Sequence, residues 1–562
     1  MSKANKPGLQ LRGLPLNGRT AALRALLLVD QGMSAQQALA CVLDAPEARQ
    51  QGVRREGAQA GAAKVSASAS SNTTVAASSG ASSGVGLSGQ DKALCTELVY
   101  GCLRTEIRLR FILSSVLSKP QGLPPAMLTV LALAVYGLLF QDKVPAHAVI
   151  HEAVDQVRRL FGQGLARVAN GALRSLQRMG QEPLESAFYH AKPKGKNALG
   201  HSANNDGFFA QCIFYSVPLW IGSLWRDAYG EEAALGLMRR AFARPYSALR
   251  VNPGHPGADA LYAALAAGEE PATIHSHSLP VATQPFPSDV LLHGAFQPQS
   301  ALEPSQISPQ HAVNTDVTLS HFGASSTHGP VVDKSVPVRI GRWGLAFAPG
   351  QMPRAVLGHD LRHWQALGAL SWQSAGSQTA LLELGLDSWR EPVWDACAGY
   401  GGKSMALMEW GVPVGLCTDR SAVRLRGLPG QCAALNLPLP AICLADAARP
   451  PLRAWPGHIL VDAPCSGLGV LARRPDIRRR EPQHLAELEG LQRAMLATLA
   501  GYLQPGSELA YITCTLNPAE NEQAVAWLLK SHKNLRMVRQ WQTSHEHAWL
   551  EGMYGAVLRN EG

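Results

Sequence analysis

From about residue 339 onward, short runs of β-branched and apolar residues alternate with segments of helical period. The runs are EPVWDAC, VPVGLCTD, AICLAD, HILVDAP and ELAYITC, and helices are predicted at 404–410, 422–436 and 482–503. Strand and helix in alternation leave few options: the strands lie parallel in one open sheet, with helices on its faces. In such a sheet a ligand binds beyond the carboxyl ends of the strands, near the first crossover. Residues 339–562 are therefore expected to form an α/β Rossmann-like domain with a crevice at one rim.

The chain ahead of it has a different period. Apolar residues recur at helical spacing in RTAALRALLLVDQG, ELVYGCLRTEIRLRFILSSVL, AHAVIHEAVDQVRRLF and LARVANGALRSLQ, with Pro and Gly in the gaps. An all-α helical bundle is predicted over 17–180, preceded by a disordered arm at 1–16. The uncharged run 123–140 approaches the length of a membrane span. It opens on two prolines, which begin a helix, and Thr129, Tyr136 and Gly137 interrupt it, so a central bundle helix is predicted. A Ser/Ala/Gly-rich insert at about 57–89 cannot bury enough apolar surface to fold. Linkers are predicted at 181–206 and 269–338, with a small helical subdomain at 207–268 between them. The histidines of the second linker are irregularly spaced in a polar segment and do not read as metal ligands.

The net charge of +9 suits a polyanionic partner without identifying one. The ten cysteines form no CxxC pair and no histidines stand at zinc spacing. They read as reduced thiols of a cytoplasmic protein that needs no metal. The start lacks an apolar core, so no secretory signal is expected. A monomer acting away from membranes is expected.

The chemistry gathers at the strand ends. The first run leads into Asp395-Ala-Cys397-Ala398-Gly399-Tyr400-Gly401-Gly402-Lys403, a glycine-rich turn ahead of a helix. Glycines there let a backbone approach a ligand closely, and the spacing is not that of pyrophosphate binders. The next three runs end at Asp419, Asp446 and Asp462. Any one of these acids alone would read as a loop aspartate. As a set facing one rim they point to a nucleoside, Asp419 accepting from ribose hydroxyls and Asp446 meeting the adenine edge. Cys465 and Cys514 follow the fourth and fifth runs, whereas Cys417, Cys432 and Cys443 read as small buried hydrophobes. A thiolate adding to carbon 6 of a pyrimidine makes carbon 5 nucleophilic, which is covalent catalysis of a methyl transfer. Asp462 is the candidate to assist that addition as a protonated or hydrogen-bonding group.

The segments DACAGYGGKS, TDRSAVRLRG, DAPCSGLGVLARRPDI and YITCTLNPAENE resemble the successive motifs of RNA 5-methylcytosine methyltransferases of the RsmB/Nop2/Sun family. RVNP at 250–253 resembles that family's upstream signature. The resemblance implies a class I methyltransferase domain with S-adenosyl-L-methionine as cofactor. It implies Cys514 as nucleophile, Cys465 in product release and Asp462 near both methyl donor and base. It implies 397–403, Asp419, Arg424 and Asp446 as cofactor contacts. The helical region resembles a NusB-like RNA-binding domain, the arrangement of the bacterial RsmB (Sun/Fmu) branch, which methylates a cytosine in 16S ribosomal RNA. In this chain Gly399-Tyr400 stands where the family has Ala-Pro, Gln373-Ser374 where it has a Gln-Asp pair, and Ala472 where an arginine often follows the PC motif. Tyr400 is placed to crowd or stack on the ligand.

Arg473, Arg474, Arg478, Arg479 and Arg480 crowd together just after Cys465. Set beside the proposed site, they are expected to meet RNA phosphates, and Arg104 and Arg108 to share a helix face toward RNA. The target cytosine must be unstacked to reach a thiol. Three alternatives stay open: a transfer-RNA cytosine methyltransferase, a non-catalytic RNA-binding assembly factor with a decayed core, and a small-molecule methyltransferase.

Overall fold

The computed structural model describes residues 14–43, 87–141, 144–190, 207–267, 336–547 and 549–562. Apart from their edges, the arm at 1–16, the insert at 57–89 and the linkers at 181–206 and 269–338 lie outside the described residues.

The N-terminal part is a bundle of α1 (Gly18–Asp30), α2 (Ala35–Leu43), α3 (Gly89–Arg104), α4 (Glu106–Val116), α5 (Pro125–Phe140), α6 (Ala146–Phe161) and α7 (Gln163–Met179). Local chemistry starts several of these. Asn17 and Ser88 cap α1 and α3 by accepting from Thr20 N and Asp91 N. Pro125 opens α5, where its missing N–H costs nothing. The uncharged α5 buries Met127, Val130, Leu131 and Val135 in the bundle, as a helix apolar nearly all round must. Among the described residues no single helix is long and apolar enough to cross a membrane.

Two expectations need correction. Residues 181–190 are not linker: they form 3-10 turns at Glu182–Leu184 and Ser186–His190. Tyr189 there is buried, its ring 5.2 Å from Phe111 and 5.6 Å from Phe214. The segment 207–268, expected as a small helical subdomain of the catalytic module, is not all helical either. Besides its helices it contains the strand Ser247–Val251, an inner member of a four-stranded antiparallel sheet. The neighbours are Gly344–Phe347 and Leu370–Trp372, with Val338–Ile340 at the edge. Strands from both sides of the 269–338 segment thus build one sheet.

The C-terminal domain is organised on β1 (Val393–Asp395), β2 (Val414–Asp419), β3 (Ala441–Leu444), β4 (His458–Asp462), β5 (Glu508–Thr513), β6 (Leu535–Gln542) and β7 (Tyr554–Asn560). Their order across the sheet is β6-β7-β5-β4-β1-β2-β3. The strands β1 to β5 run parallel, while β7 is antiparallel to both β5 and β6. Period-two alternation fills both faces. Ile459 and Val461 of β4 and Leu509 and Tyr511 of β5 pack on one side, with Leu496 and Leu499 of helix Gln483–Ala500. Leu460, Ala510 and Ile512 pack on the other, with Met405 and Leu407 of helix Gly402–Glu409. The predicted helix 422–436 is split into Ala422–Leu425 and Leu428–Ala434, around Gly427 and ahead of Pro429. All five predicted strands therefore present their carboxyl ends on one rim.

Candidate active site

The turn after β1 is shaped by two glycines with left-handed backbones, Gly399 at φ 57° and Gly401 at φ 82°. A Cβ on Gly401 would meet Leu428 at 2.2 Å, so only glycine fits. A Cβ on Gly399 would meet nothing nearer than an Asp419 oxygen at 3.9 Å, so the turn opens onto free space. Asp419, at the end of β2, accepts from Gly399 N at 3.0 Å and Ser421 N at 2.7 Å. Arg424 lies 3.7 Å from the same carboxylate and is half exposed. Asp446 follows β3, is exposed, and accepts from Ala448 N at 2.9 Å. Asp462 ends β4 and pairs with Lys403 Nζ at 2.5 Å. Burial pushes the Lys403 ammonium down, but Asp462, the Cys514 sulfur and Asp395 outweigh it and hold its pKa above the usual lysine value.

Asp395, the first acid of the rim series, faces inward. It is buried, accepts from Ser404 Oγ at 2.5 Å and Cys397 N at 3.2 Å, and burial pushes its carboxyl up to about 7. It braces the turn rather than lining the crevice. Tyr400 points outward and is 63% exposed, while its carbonyl accepts from Gln431 Nε2. Gln373, noted in the sequence only as standing in the family's Gln-Asp position, has an amide that joins Gly402 O at 3.0 Å to the buried Arg250–Glu409 ion pair. This ties the RVNP strand to the helix that leaves the glycine turn.

The fifth and fourth strand ends bring the two cysteines together. Cys465 and Cys514 are both half-buried, with Sγ atoms 3.2 Å apart, and Cys514 N donates to Cys465 Sγ at 3.3 Å. The hydrogen bond from the Cys465 thiol holds the Cys514 thiol below its ordinary value, against burial and the Asp462 charge, with Lys403 helping. Giving that proton, together with burial, pushes Cys465 well up. The Cys514 thiol is thus the easier of the two to ionise.

Residues 383–554 match the 16S rRNA methyltransferase RsmB/F family, and residues 53–178 match the NusB family. The chain joins an RsmB/F-type methyltransferase domain to a NusB-type domain. It is 28% identical over 457 residues to the probable ribosomal RNA small subunit methyltransferase B of Synechocystis, covering 80% of this chain and 83% of that one. It is 28% identical over 488 residues to ribosomal RNA small subunit methyltransferase B of Vibrio cholerae, covering 84% and 90%. The crystal structure of PH0851 shares the fold, with a TM-score of 0.59 at 17% identity over 97% of this chain and 99% of that one.

The cofactor of an RsmB/F methyltransferase is S-adenosylmethionine, and the rim fits it. Acceptors at Asp419, Asp446 and Asp462 suit a ligand that carries ribose hydroxyls, an ammonium and a sulfonium. The open side of Gly399 leaves room beside them.

The arginines require a correction. Arg108 is buried, donating to Tyr189 Oη and to the Pro183 and Leu184 carbonyls, with the Phe214 ring 4.3 Å from its guanidinium. Arg104 is buried and reaches Ala472 O. Arg478 is buried and donates to three carbonyls. Burial removes all three from contact with phosphate; Arg108 and Arg478 also spend their donors on the protein, while Arg104 Nε is buried without a partner. Arg473 pairs with Glu551 and donates to Tyr246 O, and Arg474 pairs with Asp476. Arg479 bridges Glu106 and Asp30 of the helical bundle. Within the cluster Arg479 fastens the catalytic domain to the bundle, Arg478 fastens it to the helices of 207–242, and Arg474 pairs within its own loop.

Proposed function

We propose that the protein transfers a methyl group to carbon 5 of a cytosine in small-subunit ribosomal RNA, through a covalent adduct between Cys514 and carbon 6 of the base. The observation that carries this reading is the pair of sulfurs 3.2 Å apart at adjacent strand tips, within electrostatic reach of Lys403 and Asp462. Methylation of an oxygen or an amine has no use for such a pair.

Carbon 5 of cytosine is a poor nucleophile. The Cys514 thiolate adds to carbon 6, which makes carbon 5 enamine-like. The Asp462–Lys403 couple serves the opposite edge of the base, the carboxylate accepting from the exocyclic amine and the ammonium offsetting charge at the ring nitrogen. S-Adenosylmethionine, when bound, supplies an electrophilic methyl group. Cys465 gives its proton to the ring nitrogen as the adduct forms, takes the proton from carbon 5 after methyl transfer, and the ring-nitrogen proton passes to solvent as the adduct breaks. The double bond between carbons 5 and 6 re-forms, the carbon–sulfur bond breaks and Cys514 leaves as a thiolate. Asp419 and Asp446 hold the nucleoside end of the cofactor and the 397–403 turn its methionine end. Burial of both sulfurs requires that the cytosine leave its stack, so the target lies in a loop or a locally opened helix.

The test is incubation with labelled methyl donor and unmodified small-subunit ribosomal RNA, read by base-resolved mapping. A single 5-methylcytosine is the expected product, and Cys465→Ala should accumulate an RNA–protein adduct that survives denaturation. Label on any other atom, or none, sinks the reading. A separate prediction concerns Asp419, whose carboxylate already accepts from two backbone amides. Asp419→Asn replaces one acceptor edge by a donor and should raise KM for the methyl donor about 10–100-fold, the worth of one or two charge-assisted hydrogen bonds. Donor titration at saturating RNA measures it; an unchanged KM removes Asp419 from the cofactor.

A further inference from the structure

Behind the two cysteines lies a carboxylate that pairs with no cation among the described residues. Glu520 is fully buried, as are Ser466, Gln492, Thr515 and Asn517 around it. Its Oε1 accepts from Ser466 Oγ at 2.5 Å and Asn517 Nδ2 at 3.0 Å. Its Oε2 accepts from Ser466 N at 2.8 Å and Gln492 Nε2 at 2.9 Å. Its carbonyl accepts from Tyr511 Oη at 2.7 Å. Among the described residues all its hydrogen-bond donors are neutral. Burying an unpaired charge is costly, and only a complete set of donors makes it tolerable.

Those donors belong to the two loops that carry the sulfurs. Ser466 follows Cys465 directly, and Gln492 also donates to Pro464 O at 2.9 Å, so the Cys465 loop is gripped on both sides. Ser466 Oγ meets Thr515 Oγ1 at 2.7 Å, next to Cys514. Glu520 itself lies in the loop that follows Cys514. We propose that Glu520 is a positioning residue for methyl transfer, its carboxylate clamping the Cys465 loop to the Cys514 loop and so setting the separation of the two sulfurs. This rests on the functional reading above.

The charge itself works against the nucleophile. Cys514 is faced by Cys465, Asp462, Lys403 and Glu520, and of these Asp462 and Glu520 oppose its ionisation. The use of Glu520 is therefore geometric. A glutamine is a poor substitute, because its amide nitrogen must point either at Ser466 N and Gln492 Nε2 or at Asn517 Nδ2, all donors.

The test uses the full-length protein with Glu520→Gln and Glu520→Asp. Four quantities are read: turnover, KM for RNA, folded fraction by circular dichroism, and the pH dependence of Cys514 alkylation by iodoacetamide without RNA. Glu520→Gln should lower kcat by about 100-fold, as a displacement of about 1 Å at a reacting group does, with KM for RNA unchanged. Its alkylation midpoint should move to lower pH, because a repelling charge is gone. Glu520→Asp keeps the charge, so its midpoint should return to the wild-type value and kcat should recover in part. Wild-type kcat in Glu520→Gln overturns the clamp. So does a fall in kcat equal to the fall in folded fraction with no shift of the midpoint. Wild-type protein that makes no 5-methylcytosine overturns the functional reading instead, and the alkylation comparison still tests the charge at Glu520.

Discussion

Cys514→Ala is expected to lose 5-methylcytosine formation on small-subunit ribosomal RNA, with kcat down by roughly 10⁴–10⁶-fold, the range seen when a covalent nucleophile is deleted. The argument is chemical before it is structural. Without addition at carbon 6, no group in the crevice can make carbon 5 attack a methyl group, so the loss falls on the chemical step and not on binding. RNA and cofactor affinities should therefore stay at wild-type values, since the rim acids and the glycine turn are untouched. The neighbouring sulfur sharpens the test. Cys465 lies 3.2 Å away and owes its raised pKa first to the proton it shares with Cys514. Removing Cys514 takes away the largest cause of that rise and leaves burial, so Cys465 is the group able to stand in. If Cys514→Ala keeps turnover that the double variant with Cys465→Ala loses, the nucleophile is Cys465 and the assigned roles reverse. The measurement is single-turnover methylation with labelled donor, alongside trapping of the protein on RNA containing 5-fluorocytosine.

What the sequence reveals here is what short stretches of chain decide. The strands EPVWDAC, HILVDAP and ELAYITC can be read because period and apolarity are local, and their order fixes which ends share a rim. Asp419, Asp462, Cys465 and Cys514 follow at once, each standing at or just beyond a strand end. Contacts between distant segments cannot be read in this way. ALRVNP looks like the end of a helical unit, yet its strand pairs with residues 344–347 and 370–372, across more than ninety intervening residues. The string NPAENE is visible as a motif, but nothing local shows that Glu520 is buried among Ser466 and Gln492. The arginine run after Cys465 reads as a phosphate surface because charge next to a site usually is one. Arg478 instead donates to the carbonyls of Ser216 and Ala241, more than two hundred residues earlier. A guanidinium that docks one domain on another and one that binds RNA have the same sequence signature.

That ambiguity makes Arg478 the place to separate stability from binding. The residue is 5% exposed, and its guanidinium donates from Nε to Ser216 O at 3.0 Å, from Nη1 to Leu471 O at 2.7 Å and from Nη2 to Ala241 O at 2.6 Å. Burial, with the nearby Arg104 charge, pulls its pKa down to about 9, and what keeps the ion in place is this fixed set of carbonyls. Arg478→Ala strands three buried acceptors at the joint between the helices of 207–242 and the catalytic domain. The expected cost is about 3–5 kcal/mol of stability, the range for breaking a buried charged network. Arg478→Met, which keeps the aliphatic stem but supplies no donor, should recover only the packing part. Denaturant unfolding and thermal melts read the loss. RNA binding by the fraction still folded should be wild-type at every salt concentration, because no phosphate contact has been removed. A phosphate-binding arginine behaves in the opposite way: its loss leaves the melt unchanged and lowers the slope of log affinity against log salt by about 0.7–0.9. That second pattern would return Arg478 to the RNA surface and leave the joint between the domains to Arg479, with its ion pairs to Asp30 and Glu106.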